Sequence, residues 1–115
     1  MTCVWNAIIN KLNINMTPQI FVDDIKKRNK KIHGILWNNH HVTHKQRKEN
    51  YERICNIVNI NDGYDCSSFE PLLFLIAKLY NVSIIHYLCN NKIEYINKCY
   101  KTTIITFHSN KSHFW

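Results

Sequence analysis

Apolar residues recur at helical spacing through the first half of the chain and alternate as in strands near its end. Val4, Ile8 and Leu12 stand four apart with Trp5 and Ile9 beside them, which predicts a buried helix over 3–12 with an exit at Asn13–Met16. Thr17-Pro18 is a second start signal, a capping hydroxyl followed by proline at the first helical position. Ile20, Phe21 and Ile25 then supply an inward stripe. The basic run Lys26–Lys31 falls near the end of that helix, where cations suit the free carbonyls, and Gly34 is expected to end it.

The segment from His33 to Thr43 is the least patterned. Ile35–Trp37 reads as a short strand or anchor and Asn38–His41 as loop. Thr43 and Gln46 have capping-box spacing, and Tyr51, Ile54, Cys55 and Val58 follow at i, i+3, i+4 and i+7, so a third amphipathic helix is expected. Asp62-Gly63 marks a turn, Ser68 is a fitting N-cap, and Pro71 falls early enough in the next helix for its missing N–H to cost nothing.

From Leu72 to Tyr80 the pattern is apolar on nearly every side, with Lys78 the only charge. Such a helix must be buried all round. Asn81 ends it, and Val82–Leu88 reads as a strand rich in β-branched and aromatic residues. Cys89-Asn90-Asn91 should turn that strand into a second, Lys92–Asn97, and Thr102–His108 alternates as a third. The expected fold class is α+β: a single domain over 1–115, with three to four helices packed on a small, mainly antiparallel sheet of about three strands.

Composition narrows the function classes. No apolar run approaches a membrane span, and the basic-then-apolar order of a signal peptide is missing, so a soluble, intracellular protein is expected, with no membrane partner. Five cysteines at unpaired spacings read as reduced thiols, most of them core fillers. The net charge of +7, from 15 basic and 8 acidic residues, favours acidic partners: nucleic acid, an acidic protein face or a membrane surface. Lys26–Lys31 and Lys45–Lys48 would form a phosphate-binding face if their helices lie side by side, although no aromatics are interleaved with them.

Two residues at opposite ends carry the sharpest chemistry. A thiolate at Cys3, opening a helix, would be stabilised by the partial positive charge of the free N–H groups, and the same amides could hold an oxyanion. A cysteine nucleophile needs a base, and His113 is a candidate contributed from beyond a distant strand. The plainer reading makes Cys3 a small buried residue and His113 a surface imidazole. His40, His41 and His44 invite a zinc reading with Cys55 or Cys66, but no second closely spaced pair completes four ligands, so no metal or cofactor is assigned. His86 and His108 fall inside strands and read as hydrogen-bonded structural residues or sheet-face residues, and Asn110 as a turn residue that could also contact His113.

Cys3–Ile8 (Cys-Val-Trp-Asn-Ala-Ile), Ser67–Ile84, and Thr-Ile-Ile-Thr-Phe with the later His-Phe-Trp together resemble an OTU-like, papain-like cysteine protease, almost end to end and in the right order. The composition also resembles that of proteins from large DNA viruses. The resemblance implies Cys3 as nucleophile and His113 as general base in peptide or isopeptide hydrolysis, with ubiquitin or a ubiquitin-like protein as substrate. It also implies a setting in the host cytoplasm or virion. Only Met1 and Thr2 precede the cysteine, where the family carries an oxyanion-hole loop, and Trp115 stands where it often has an orienting Asp or Asn. A terminal carboxylate on Trp115 is expected to steady His113 instead. A basic ubiquitin tail would need Asp23, Asp24, Asp62, Asp65 or Glu70 along the cleft. The alternative is an inactive OTU-like virion or capsid component that binds proteins or nucleic acid through its basic surface.

Overall fold

The computed structural model describes residues 3–56, 71–98, 103–110 and 114–115, without the side chains of Cys3 and Pro71. Helix α1 (Cys3–Leu12) begins and ends as its apolar spacing requires, burying Val4, Trp5, Ile8 and Ile9. Asn13 closes it with φ of 54°, while the Ile14 N–H reaches back to the Ile9 carbonyl at 3.4 Å. This left-handed cap satisfies a carbonyl that the helix leaves unpaired. In α2 (Pro18–Lys27) the Thr17 hydroxyl accepts from the Ile20 N–H, as the Thr-Pro signal predicts. Two expectations fail there. Ile20 is exposed, and the inward stripe is Phe21, Val22 and Ile25; the helix also stops at Lys27, with Arg28 as its C-cap, well before Gly34.

Ile35–Trp37 is a strand as read, and the stretch read as loop completes a hairpin with it. β1 (Ile35–Trp37) pairs antiparallel with β2 (His40–His41) across Asn38-Asn39, which have φ of 48° and 67°. Two consecutive left-handed residues make the turn whose twist matches a hairpin, and asparagine tolerates that region better than most residues. α3 (His44–Cys55) opens with both halves of the Thr43/Gln46 capping box in place. Its buried residues are Asn50 and Ile54, whereas Tyr51 and Cys55 are exposed and Val58 lies outside the described residues. The Ser68 cap and the Asp62-Gly63 turn lie outside them too.

α4 (Pro71–Leu79) is the centre of the helical layer, with Leu72 to Ala77 all buried. It packs against α3 on one side and the sheet on the other, its Phe74 ring edge-on to Tyr95 at 5.0 Å. Asn81, at φ of 55°, ends it, and the Val82 N–H closes back onto the Ala77 carbonyl at 3.1 Å. The same carbonyl accepts from Asn97 Nδ2 at 3.0 Å, so the sheet also caps the helix. Asn81→Gly is expected to leave stability unchanged, while Asn81→Val should cost about 1–2 kcal/mol because a Cβ-branched residue resists the left-handed region. Thermal melts of the two variants check this.

β3 (Ser83–Leu88) and β4 (Asn91–Asn97) form the expected antiparallel hairpin, with a positive φ at Cys89 in the two-residue loop. β5 (Ile104–Ser109) lies on the far side of β3 and runs parallel to it. The sheet order is β2-β1-β4-β3-β5, so the sheet has five strands, correcting the expectation of about three; it is mainly antiparallel as expected, with β3–β5 the one parallel pairing among the described strands. Ile93, Tyr95 and Asn97 are buried, as are Ile105, Phe107 and Ser109, while their sequence neighbours within each strand are partly or fully exposed. Since successive side chains in a strand alternate faces, one sheet face carries the core and the other is open.

Candidate functional site

Cys3 is the first residue of α1, so its backbone belongs to the turn whose N–H groups have no partner within the helix. α1 packs against β5. Beyond Ser109 the chain returns to the same strand: Phe114 forms an antiparallel bridge with Ser109. Trp115 and His108 exchange both backbone hydrogen bonds, at 2.7 and 2.8 Å. The expected contact between the Trp115 carboxylate and His113 falls on a residue outside the described ones. His113 and the Cys3 side chain lie outside the described residues, so the structure neither joins nor separates the two.

Under this returning segment sits a polar pair. His86 of β3 is fully buried, and its Nε2 lies 2.6 Å from the Ser109 hydroxyl oxygen. The Phe114 ring covers it at 5.6 Å and packs on Phe107 at 5.1 Å. The other nitrogen, Nδ1, has no hydrogen-bond partner among the described residues, so a doubly protonated ring would carry one N–H without an acceptor there. Burial, helped by the nearby His108, lowers the His86 pKa from 6.5 to about 4. His86 is therefore neutral at pH 7, and the pair is closed to substrate by its burial. The sequence reading of His86 as a hydrogen-bonded structural residue holds.

On the open face three rings stack in a row. Tyr87 and His108 are register partners on β3 and β5, with centroids 5.0 Å apart and planes 15° apart. His108 stacks in turn on Trp115, at 5.7 Å and 12°. Strand alternation already puts Tyr87 and His108 on the outward parity; their contact needed the parallel register, which the sequence does not announce.

The remaining candidates are dispersed. Asp24 is paired with Arg28 at 2.8 Å and Asp23 accepts from Gln19, while Asp62, Asp65 and Glu70 lie outside the described residues. Among the described residues no group of three or more His, Cys, Asp and Glu side chains is arranged to hold a metal ion. His40, His41 and His44 are exposed. Cys55 and Cys89 are free and exposed, so neither is a core filler; the side chain of Cys3, and Cys66 and Cys99, lie outside the described residues. The basic tracts do approach one another. Asn29 Nδ2 donates to the Tyr51 carbonyl at 3.0 Å and to Cys55 Sγ at 3.4 Å, docking the end of the Lys26–Lys31 run on α3, a turn beyond Lys48. Among the described residues no helix is long and apolar enough to cross a membrane.

Comparison adds no relative to this geometry: no family model, no curated protein and no solved structure matches the chain.

Proposed function

We propose that the chain is a cysteine hydrolase of the OTU-like, papain-like type, acting on peptide or isopeptide bonds. The observation that carries the reading is the packing of α1, the helix that starts at Cys3, against β5, the strand that leads to His113. In the proposed reaction the His113 imidazole takes the Cys3 thiol proton, and the thiolate attacks the substrate carbonyl. The free amides of the first turn of α1 would stabilise the oxyanion. Collapse expels the amine, which receives the proton from His113, and leaves a thioester on Cys3. Water, deprotonated by the same imidazole, then releases the acid. The substrate proposed is the tail of ubiquitin or a ubiquitin-like protein, and the setting the host cytoplasm or virion.

The test is a ubiquitin whose C-terminus carries an electrophile. Wild-type protein should form a covalent adduct and Cys3→Ala none; a mutant that labels as fast as wild type sinks the assignment. A second reading is a non-catalytic virion component that keeps the same architecture and binds nucleic acid or protein partners. It is favoured by the charge of +7 and by Lys26, Lys27, Lys30 and Lys31, none of which makes an ion pair among the described residues. Under that reading the wild type stays unlabelled, while DNA or RNA binding weakens steeply with salt.

A further inference from the structure

We infer that the open face of the sheet holds a binding site for single-stranded nucleic acid, in which an unpaired base stacks on Trp115. The row Tyr87–His108–Trp115 is built at the spacing of neighbouring strands, so each ring holds the next upright. Trp115 is fixed twice, by its stack on His108 and by the paired backbone hydrogen bonds to that residue. One face of its indole is taken by His108, yet the residue is 51% exposed. A rigid, solvent-facing indole at the end of a stack continues naturally with another flat ring. Bases in a duplex already have both faces covered, so the ring selected is that of an unpaired nucleotide.

Charge decides between a nucleic acid and a neutral flat ligand such as a sugar. The chain carries +7. Lys92, exposed on β4, is the register partner of Tyr87 and so continues the row on its other side. Glu94 is the only carboxylate on the described strands, and it is half-buried. A polyanion is therefore accommodated beside the stack. This site is separate from the Cys3–His113 proposal and can stand without it.

The experiment is fluorescence anisotropy with a short labelled oligouridine at low salt. Wild type should bind with quenching of indole emission, and added salt should weaken it. Trp115→Ala should weaken binding about tenfold, the scale of one lost base–aromatic stack, whereas Trp115→Phe, which keeps a flat ring, should retain most of the affinity. Circular dichroism of both variants separates lost stacking from lost folding, and Tyr87→Ala gives a second test inside the row. No binding by wild type overturns the inference. So does equal affinity of Trp115→Ala, which would place binding on the lysine tracts instead. Equal competition by duplex, or salt-independent competition by a neutral oligosaccharide, overturns it as well.

Discussion

Phe74→Ala is expected to lower the unfolding free energy by about 3–5 kcal/mol, the range for truncating a buried aromatic. Phe74 sits mid-way along α4 with 1% of its surface exposed, wedged between the helical layer and the sheet. Its ring meets Tyr95 at 89°, an edge-to-face contact that adds about 0.5–1.5 kcal/mol beyond the apolar area it buries. Neighbours on a helix and a strand cannot close the void, because their backbones are held by their own hydrogen bonds. Domains have only about 5–15 kcal/mol of stability, so the variant should lose a large part of it. Urea unfolding provides the measurement. A loss under about 1 kcal/mol would mean that α4 does not pack on β4 as described. Ile20→Ala, at an exposed site on α2, serves as the contrast and should change stability by about 0.5 kcal/mol or less.

Acid should destabilise the fold through His86. With a pKa of 6.5 when unfolded and about 4 in the native protein, the unfolded chain binds the proton more readily between those values. Stability from this group is therefore complete above pH 6.5 and is lost as pH falls through about 4, below which it levels off. At about 1.4 kcal/mol per pH unit the whole effect is on the order of 3 kcal/mol. The cause is local. A protonated ring would be a buried cation with an unpartnered Nδ1–H, covered by Phe114 and close to His108. Denaturant midpoints taken across this window for wild type and His86→Leu isolate the group from the carboxylates that titrate nearby. The difference between the two proteins should shrink as pH falls, because only wild type loses this contribution. A difference that stays constant from pH 7 to 4 would show that His86 titrates normally.

Features governed by near neighbours were legible in the residues. Thr17 before Pro18 and Thr43 three before Gln46 named their helix starts, because a cap needs only a hydroxyl within one turn. Leu72 to Ala77 announced a helix buried all round, and the Cys89-Asn90 loop falls within the turn expected at Cys89–Asn91. Asn38-Asn39 was a readable signal that went unread, since β2 is two exposed histidines with no apolar alternation to mark a strand. Ile20 fell on the wrong side because Ile20, Phe21 and Val22 follow one another, and adjacent apolar residues leave the inward angle of a helix undecided.

The candidate sites divide along the same line. That Cys3 opens a helix follows from local spacing; that this helix lies beside β5 depends on how the layers pack. His86 and Ser109 are 23 residues apart and Tyr87 and His108 are 21, and each pair meets only because β5 crosses to the far side of β3 and runs parallel to it. By themselves the residues determined the presence of the helices, the caps at Thr17 and Thr43 and the long hairpin, whose hydrogen bonds and apolar periods close within a few positions. Tertiary structure alone decided the strand order, and with it which side chains share a face. Pairing between distant strands costs loop entropy that only the assembled core repays, and no short-range pattern records that balance.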